Sequence, residues 1–294
     1  MAFLIALLVD GALTGALYAL VALAFVVVYK ASRLINFALG EWIMLAARLV
    51  AAGLHVLGLG LGIALGFALV GMTAVAVAFN GVVLRRLVGQ PVISLIMVTI
   101  GLSIFLRGAA AVVFAGVPGR IALPVPRDAL DLHGVLVAPD KVVAAAIAAV
   151  VIAAVAWFFH GSRAGIALRA ISDDQQLAMA MGIDLPRYLA LTWIIAGGLA
   201  VVAGTLWTAA AAGGFGMVLV GLKIFPIVII GGLDSIPGAL VGALLIGVLE
   251  SVAAGYLDPL VGGGFSTVAS YLVLLAVLFV RPHGLFGRVT VERI

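Results

Sequence analysis

Apolar runs of membrane-spanning length, separated by short polar punctuation, set the pattern of this chain. The first covers about residues 3–29, carries Asp10 near its start and ends at Lys30 and Arg33. The second, about 34–57, includes Glu41 and Arg48. The third, 60–84, holds no charge and stops at Arg85 and Arg86, and the fourth, 91–115, contains Arg107. A polar loop follows at 116–141, whose four prolines (118, 124, 126, 139) and mixed charges argue against a span. The fifth run is 142–159 and the sixth 188–212. The seventh, 217–233, is short and holds Lys223 and Pro226. Residues 234–238 (DSIPG) part it from the eighth, 239–257, and a Gly-rich turn at 258–266 leads to the ninth, 267–280. A helical span needs about 20 apolar residues, so the pattern predicts an all-α polytopic membrane protein with about 8–10 transmembrane helices, some short or broken.

Composition agrees. Of 294 residues, 66% are hydrophobic and 10% charged, against about 25% charged in a soluble domain. The first residues carry no Lys or Arg before Lys30. A signal peptide wants a positive start, so this stretch is expected to be a retained first span. Placing Lys30 and Arg33 in the cytoplasm puts Arg85, Arg86, Arg163, Arg169, Arg187, Arg281, Arg288 and Arg293 there too, and leaves Arg120, Arg127 and Lys141 on the opposite face. That bias predicts an N-terminus outside and a cytoplasmic C-terminus.

Several functions are excluded. None of the Lys residues follows a Gly, so there is no P-loop. The four His (55, 133, 160, 283) are scattered, with no HExxH, no Ser lies in a G-x-S-x-G, and there is no Cys. No catalytic constellation, metal site or cofactor is expected, and no basic stripe with interleaved aromatics points to nucleic acid.

The longest water-loving stretch in the interior is 160–187, HGSRAGIALRAISDDQQLAMAMGIDLPR. Ser172 and Gln175 fit a capping box. Gly182 can end the helix, and Pro186 bars its continuation. Two short helices are therefore expected, about 164–171 and 173–181, meeting at Ser172, with Asp173 and Asp174 at the positive end of the second. The bland reading is a solvated loop with ordinary caps. Ile166, Ile171, Leu177 and Met181 could supply an apolar face, and against the bland reading stands exposed apolar content that needs a partner surface: Ile166, Leu168, Leu177, Met179 and Met181.

Two further stretches invite a path. Residues 35–41 (INFALGE) place Asn36, Gly40 and Glu41 at the mouth of the second span. They read either as a helix cap with a snorkelling acid, or as a broken helix end lining a translocation path. Residues 230–238 (IGGLDSIPG), with Gly231, Gly232, Pro237 and Gly238, read as a tight turn or as a hinge in that path. Arg48, Arg107 and Glu250 are intramembrane charges, which usually face a cavity or a partner. Arg107, near the outer end of its span, is expected to snorkel. Glycines at four-residue spacing, Gly58-Gly62-Gly66 and Gly238-Gly242, are expected to mark close helix packing.

These stretches together resemble the branched-chain amino acid ABC transporter permeases of the LivH type. The resemblance lies in LINFALGEW (34–42), TIGLSIFLRG (99–108), GIALRAISDD with AMGIDLPR (165–187), LKIFPIVIIGGLDSIPGALVGALLIGVLES (222–251) and LFVRPHGLFG (278–287). It departs at Leu39, where the family often has His, at Arg107, where it often has Gln, and at His283, where it more often has Gln. The resemblance implies one permease domain over 1–294 in a bacterial inner membrane, with 160–187 as its cytoplasmic coupling segment. It implies a second, LivM-like permease subunit, two soluble ABC ATPase subunits that hydrolyse ATP, and an extracytoplasmic solute-binding protein. On matching motif positions it assigns ATPase coupling to Gly165, Arg169, Ala170, Asp173 and Gly182. Alternative readings are a urea or other small-solute permease of the same superfamily, and an ion-coupled secondary transporter, for which only Glu41 and Glu250 offer carboxylates.

Overall fold

The computed structural model describes residues 2–84, 86, 90–126, 128–132, 135–211 and 217–287. Arg85, Arg127, Arg288 and Arg293 of the charge count, and His133, lie outside the described residues. In chain order the helices are α1 Ala2–Ser32, α2 Leu39–His55, α3 Leu61–Phe79, α4 Val92–Val113, α5 Pro139–Gly161, α6 Arg163–Asp173, α7 Gln175–Ala180, α8 Leu185–Ala211, α9 Met217–Gly231, α10 Ile236–Tyr256, α11 Asp258–Val261 and α12 Phe265–Val280. A π-helical turn, Asn80–Leu84, continues α3. The strands β1 Leu130–Leu132 and β2 Val135–Val137 pair as an antiparallel hairpin, which the proline-bearing loop did not signal.

Each of the nine apolar runs contains one helix. Among the described residues, six stretches are long and apolar enough to cross a bilayer: Phe3–Ser32, Leu61–Leu84, Ile93–Val113, Pro139–Gly161, Leu185–Ala211 and Ile236–Tyr256. Two shorter apolar helices, α9 and α12, accompany them. The 17-residue α2 carries Glu41 and Arg48 within its length. This is an all-α, multi-pass membrane protein. The second run departs from expectation at its start, because residues 34–38 are not helical and α2 begins only at Leu39.

The helices fall into two compact units, each made of separated pieces of chain. Unit 1 comprises Met1–Val26, Pro124–Ile152 and Lys223–Ile294, and unit 2 comprises Val27–Leu123 and Ala153–Leu222. Lipid tails are as apolar as Leu, so burying Leu against Leu stabilises a membrane helix little. Close packing of small residues and polar links across helices must do more.

Unit 2 is built on α2, α3 and α8, which pack on one another. Gly204 of α8 lies so close to α2 that a Cβ there would sit 2.7 Å from Ile43 O. Trp42, Phe79 and Trp193 cluster in the same unit, Phe79 edge-on to Trp193 with ring centroids 4.8 Å apart and Trp42 tilted against Trp193 at 5.5 Å. In unit 1, Gly11 and Gly15 of α1 face Gly247 of α10, where an added Cβ would lie 2.6 Å from Gly15 Cα. The spacing Gly58-Gly62-Gly66 means something else than close packing. A Cβ at any of these three meets nothing within 4 Å, and all three are exposed. Gly242 does pack closely, its Cβ position lying 3.3 Å from Gly231 N.

Candidate functional site: a tethered helix pair and a broken helix

The polar stretch forms two short helices, but their caps differ from the sequence reading. Ser162, in extended conformation, caps α6 by accepting from Gly165 N at 2.9 Å. The break before α7 falls at Asp174, not Ser172. Asp174 Oδ1 accepts from Gln176 N at 2.8 Å and Leu177 N at 3.0 Å. From an extended backbone its carboxylate reaches the first amides, whereas Ser172 stays within the last turn of α6 and is buried. Asp173 is the final residue of α6, so it sits at that helix's negative end rather than at the positive end of α7.

Gly182 ends α7 as expected. At φ +84° it lets Gly182 N reach Met179 O and Ile183 N reach Ala178 O, each at 3.0 Å. This pair of bonds is a Schellman motif, for which a left-handed residue is required. Pro186 is the second residue of α8, where the missing N–H costs nothing, and Asp184 pairs with Arg187 at 2.7 Å in the same turn.

The five coupling candidates are not alike. Gly165 is buried at the corner between α5 and α6, where a Cβ would lie 2.7 Å from Phe159 Cα. Arg169 and Ala170 are half-buried, and Arg169 Nη2 donates to His160 O at 3.4 Å. Asp173 and Gly182 are exposed. The apolar set also divides. Leu168 is buried, contrary to expectation, and Ile171 is buried with it, on a helix that packs against α8. Ile166, Leu177, Met179 and Met181 are 54%, 61%, 47% and 77% exposed. Each leaves apolar surface open, and two of the four are methionines.

This helix pair is tied to the non-helical segment that leads into α2. Arg33, just past α1, donates from Nη2 to Ser172 O at 2.7 Å. In return Gln175 Nε2 donates to Ala31 O at 3.0 Å. Beyond Arg33 the chain runs non-helically through buried Leu34, Asn36 and Ala38 into α2. Asn36 Oδ1 accepts from Ala38 N at 2.9 Å, and Phe37 N donates to Thr99 Oγ1 of α4 at 3.3 Å. Gly40 abuts α9, its Cβ position lying 2.8 Å from Val218 O. Glu41 accepts from Arg107 Nη2 of α4 at 2.6 Å. Arg107 therefore does not merely snorkel. It neutralises the one buried carboxylate of this helix mouth. Arg48, further along α2, is buried and donates to Val117 O at 2.9 Å.

The other proposed path residues belong to unit 1. Gly231 closes α9, and Gly232 turns at φ +106°. Ser235 caps α10 through Gly238 N at 3.0 Å, with Pro237 in its first turn. The carbonyls at the end of α9 are met by the tail: Leu285 N donates to Ile230 O at 2.7 Å and Phe286 N to Gly231 O at 3.1 Å. The segment RPHGLFG is thus the lid on the α9–α10 turn, a role its residues alone did not disclose. Glu250, the third intramembrane charge, is enclosed in unit 1. Tyr18 OH donates to it at 2.7 Å, Ser270 Oγ at 2.8 Å and Lys223 Nζ at 3.1 Å.

A helix mouth with a neutralised carboxylate thus lies beside a helix pair that carries exposed apolar side chains. Comparison with known proteins adds the family. Residues 7–281 match the family described as branched-chain amino acid transport system, permease component. The chain belongs to that family. It is 31% identical to the high-affinity branched-chain amino acid transport system permease protein LivH of Escherichia coli K12, over 97% of this chain and 96% of LivH. It is 30% identical to the permease protein BraD of Pseudomonas aeruginosa, over 98% of this chain and 97% of BraD. A probable LivH of Methanocaldococcus jannaschii is 38% identical over 44% of this chain and 42% of its own length. The permease thus matches the LivH and BraD proteins over nearly its whole length.

Proposed function

We propose that this permease is the membrane subunit of an ATP-driven importer for branched-chain or closely related amino acids. Residues 160–187 face the cytoplasm, the N-terminus lies outside and the C-terminus inside. The chain works with a second permease subunit, two ABC ATPase subunits and an extracytoplasmic binding protein that delivers the solute. The observation that carries this reading is the apolar exposure along α6 and α7. Ile166 on α6, Leu177 and Met179 on α7, and Met181 just past it are exposed on short helices with side-chain caps at their N-termini, so apolar surface is held where a partner can cover it. Methionines fit it to a partner that moves, because their flexible thioethers repack at low cost.

In operation, closure of the ATPase pair pushes on α6 and α7. The helix mouth at Asn36, Gly40 and Glu41, and the turn at Gly231, Gly232, Pro237 and Gly238, change the side of the membrane open to solute. Amino-acid specificity follows the names of LivH and BraD. ATPase contact falls to Asp173 and Gly182 at the surface, with Gly165, Arg169 and Ala170 holding the corner behind them.

Two experiments test this. The chain has no cysteine, so Met181→Cys is a unique handle, and a cross-link from it to the co-expressed ATPase is expected. Replacing Arg169 and Asp173 together with Ala is expected to weaken ATPase assembly or solute-coupled ATP hydrolysis. Unchanged assembly and hydrolysis would sink the docking role, and uptake of urea but not leucine by the complete importer would overturn the substrate.

A further inference from the structure

We infer that Arg33 and Gln175 form the mechanical link that carries movement of α6 and α7 into the broken mouth of α2. The inference rests on the proposed function and names its transmission point. The last carbonyls of any helix have no partner within the helix. Ala31 O lies in the last turn of α1 and Ser172 O in the last turn of α6. Each is met by a side chain from just beyond the other helix, Gln175 Nε2 at 3.0 Å and Arg33 Nη2 at 2.7 Å. The two helix ends thus exchange caps. The guanidinium is well placed, because a cation at a helix C-terminus is favoured by the aligned peptide dipoles.

Arg33 is also the sole described non-glycine residue in the left-handed region, at φ 53°. Its amide still closes α1 by donating to Tyr29 O at 2.7 Å, and its guanidinium lies over the Tyr29 ring. A residue held in this sparsely populated conformation persists only where its surroundings hold it. Here the hold is the pair of bonds to the coupling helices. Directly after it come buried Leu34, Asn36 and Ala38, with no helix to absorb a shift, and then the Glu41–Arg107 bond. A displacement of α6 and α7 that drags Ala31 and Arg33 therefore reaches Asn36 and Glu41 within a few residues of rigidly enclosed backbone.

The test uses the complete importer in proteoliposomes, with leucine as solute and leucine-loaded binding protein as stimulant. Four variants are compared: Arg33→Ala, Gln175→Ala, the double variant, and Arg33→Lys, whose single cation can still reach Ser172 O. The double variant is expected to assemble with the ATPase and keep its unstimulated hydrolysis. It is expected to lose stimulation by loaded binding protein, and uptake, by about tenfold, the size of coupling between linked sites. Arg33→Lys is expected to recover part of both. Should the double variant not accumulate, Gln175→Ala alone is read, with the same loss in smaller measure. Wild-type uptake and stimulation in Gln175→Ala or the double variant would overturn the link. So would loss of ATPase assembly, which would mean that the bonds shape the docking face instead. Failure of the wild-type complex to take up leucine is read separately and strikes the proposed substrate.

Discussion

Arg107 and Glu41 join α4 to the mouth of α2 by a 2.6 Å bond, and its two ends are unequally sheltered: the Glu41 side chain is 2% exposed and that of Arg107 54%. The inequality sets which partner can be lost. Arg107→Leu strands a carboxylate in a packed interior, and is expected to lower the stability of the purified permease by about 3 kcal/mol. Glu41→Gln leaves an open guanidinium and keeps an acceptor for it, so a smaller loss is expected. Thermal unfolding in detergent reads both, and equal losses would contradict the asymmetry.

Glycine positions separate packing from spacing. Gly247→Ala forces a Cβ against Gly11 and Gly15 of α1, and overpacking of this kind is expected to cost about 1–3 kcal/mol. Gly62→Ala meets open space within a helix and is expected to leave the purified permease unchanged or raise its stability by up to about 1 kcal/mol. Melting temperatures of the two variants should move in opposite directions, or only the first should move.

The cap of α7 distinguishes Asp174 from Ser172. Asp174→Ala removes the acceptor for two amides and is expected to cost about 1 kcal/mol of local helix stability. Hydrogen exchange at residues 175–180 should quicken accordingly. Ser172→Ala, which leaves these bonds intact, should not quicken exchange there.

Between α10 and α12, Asp258 accepts from Ser266 N at 2.8 Å and Ser266 Oγ at 2.9 Å. These bonds, the backbone one foremost, hold its carboxyl below the usual carboxylate range. A depressed acid stabilises the fold above its unfolded value, about pH 3.9, and the contribution is lost as pH falls through the lower folded value. The protection factor of Ser266 N, the intrinsic exchange rate divided by the observed one, should therefore be high near neutrality and fall in strong acid. Asp258→Asn should lower it already at neutral pH.

Helix positions were legible because a 20-residue apolar run has few alternatives in a bilayer. Each of the nine runs holds a helix, and the family emerged from motifs dispersed between residues 34 and 287. What the chain hid was pairing. Nothing local says that Arg107 meets Glu41, that Gln175 meets Ala31, or that Leu285 and Phe286 close α9, since these bonds join residues far apart in sequence. Ser172 misled for a local reason. Ser at the first and Gln at the fourth position make a capping box only if the backbone at Ser is extended, and here α6 continues through it to Asp173. The exposed Gly62 and Gly66 misled because spacing reports a stripe but not what lies opposite it.

The assembly of unit 1 from separated pieces of chain also has a temporal side. Tyr18 bonds Glu250 across 232 positions, and Gly11 and Gly15 await Gly247. During synthesis α1 enters the membrane well before α10, which supplies those partners, is made. Until then the face that α1 turns toward α10 must be covered by lipid or by an insertion factor, with the Tyr18 hydroxyl lacking its carboxylate. Mutations along that face should therefore reduce the yield of inserted protein more than the stability of molecules that have already matured.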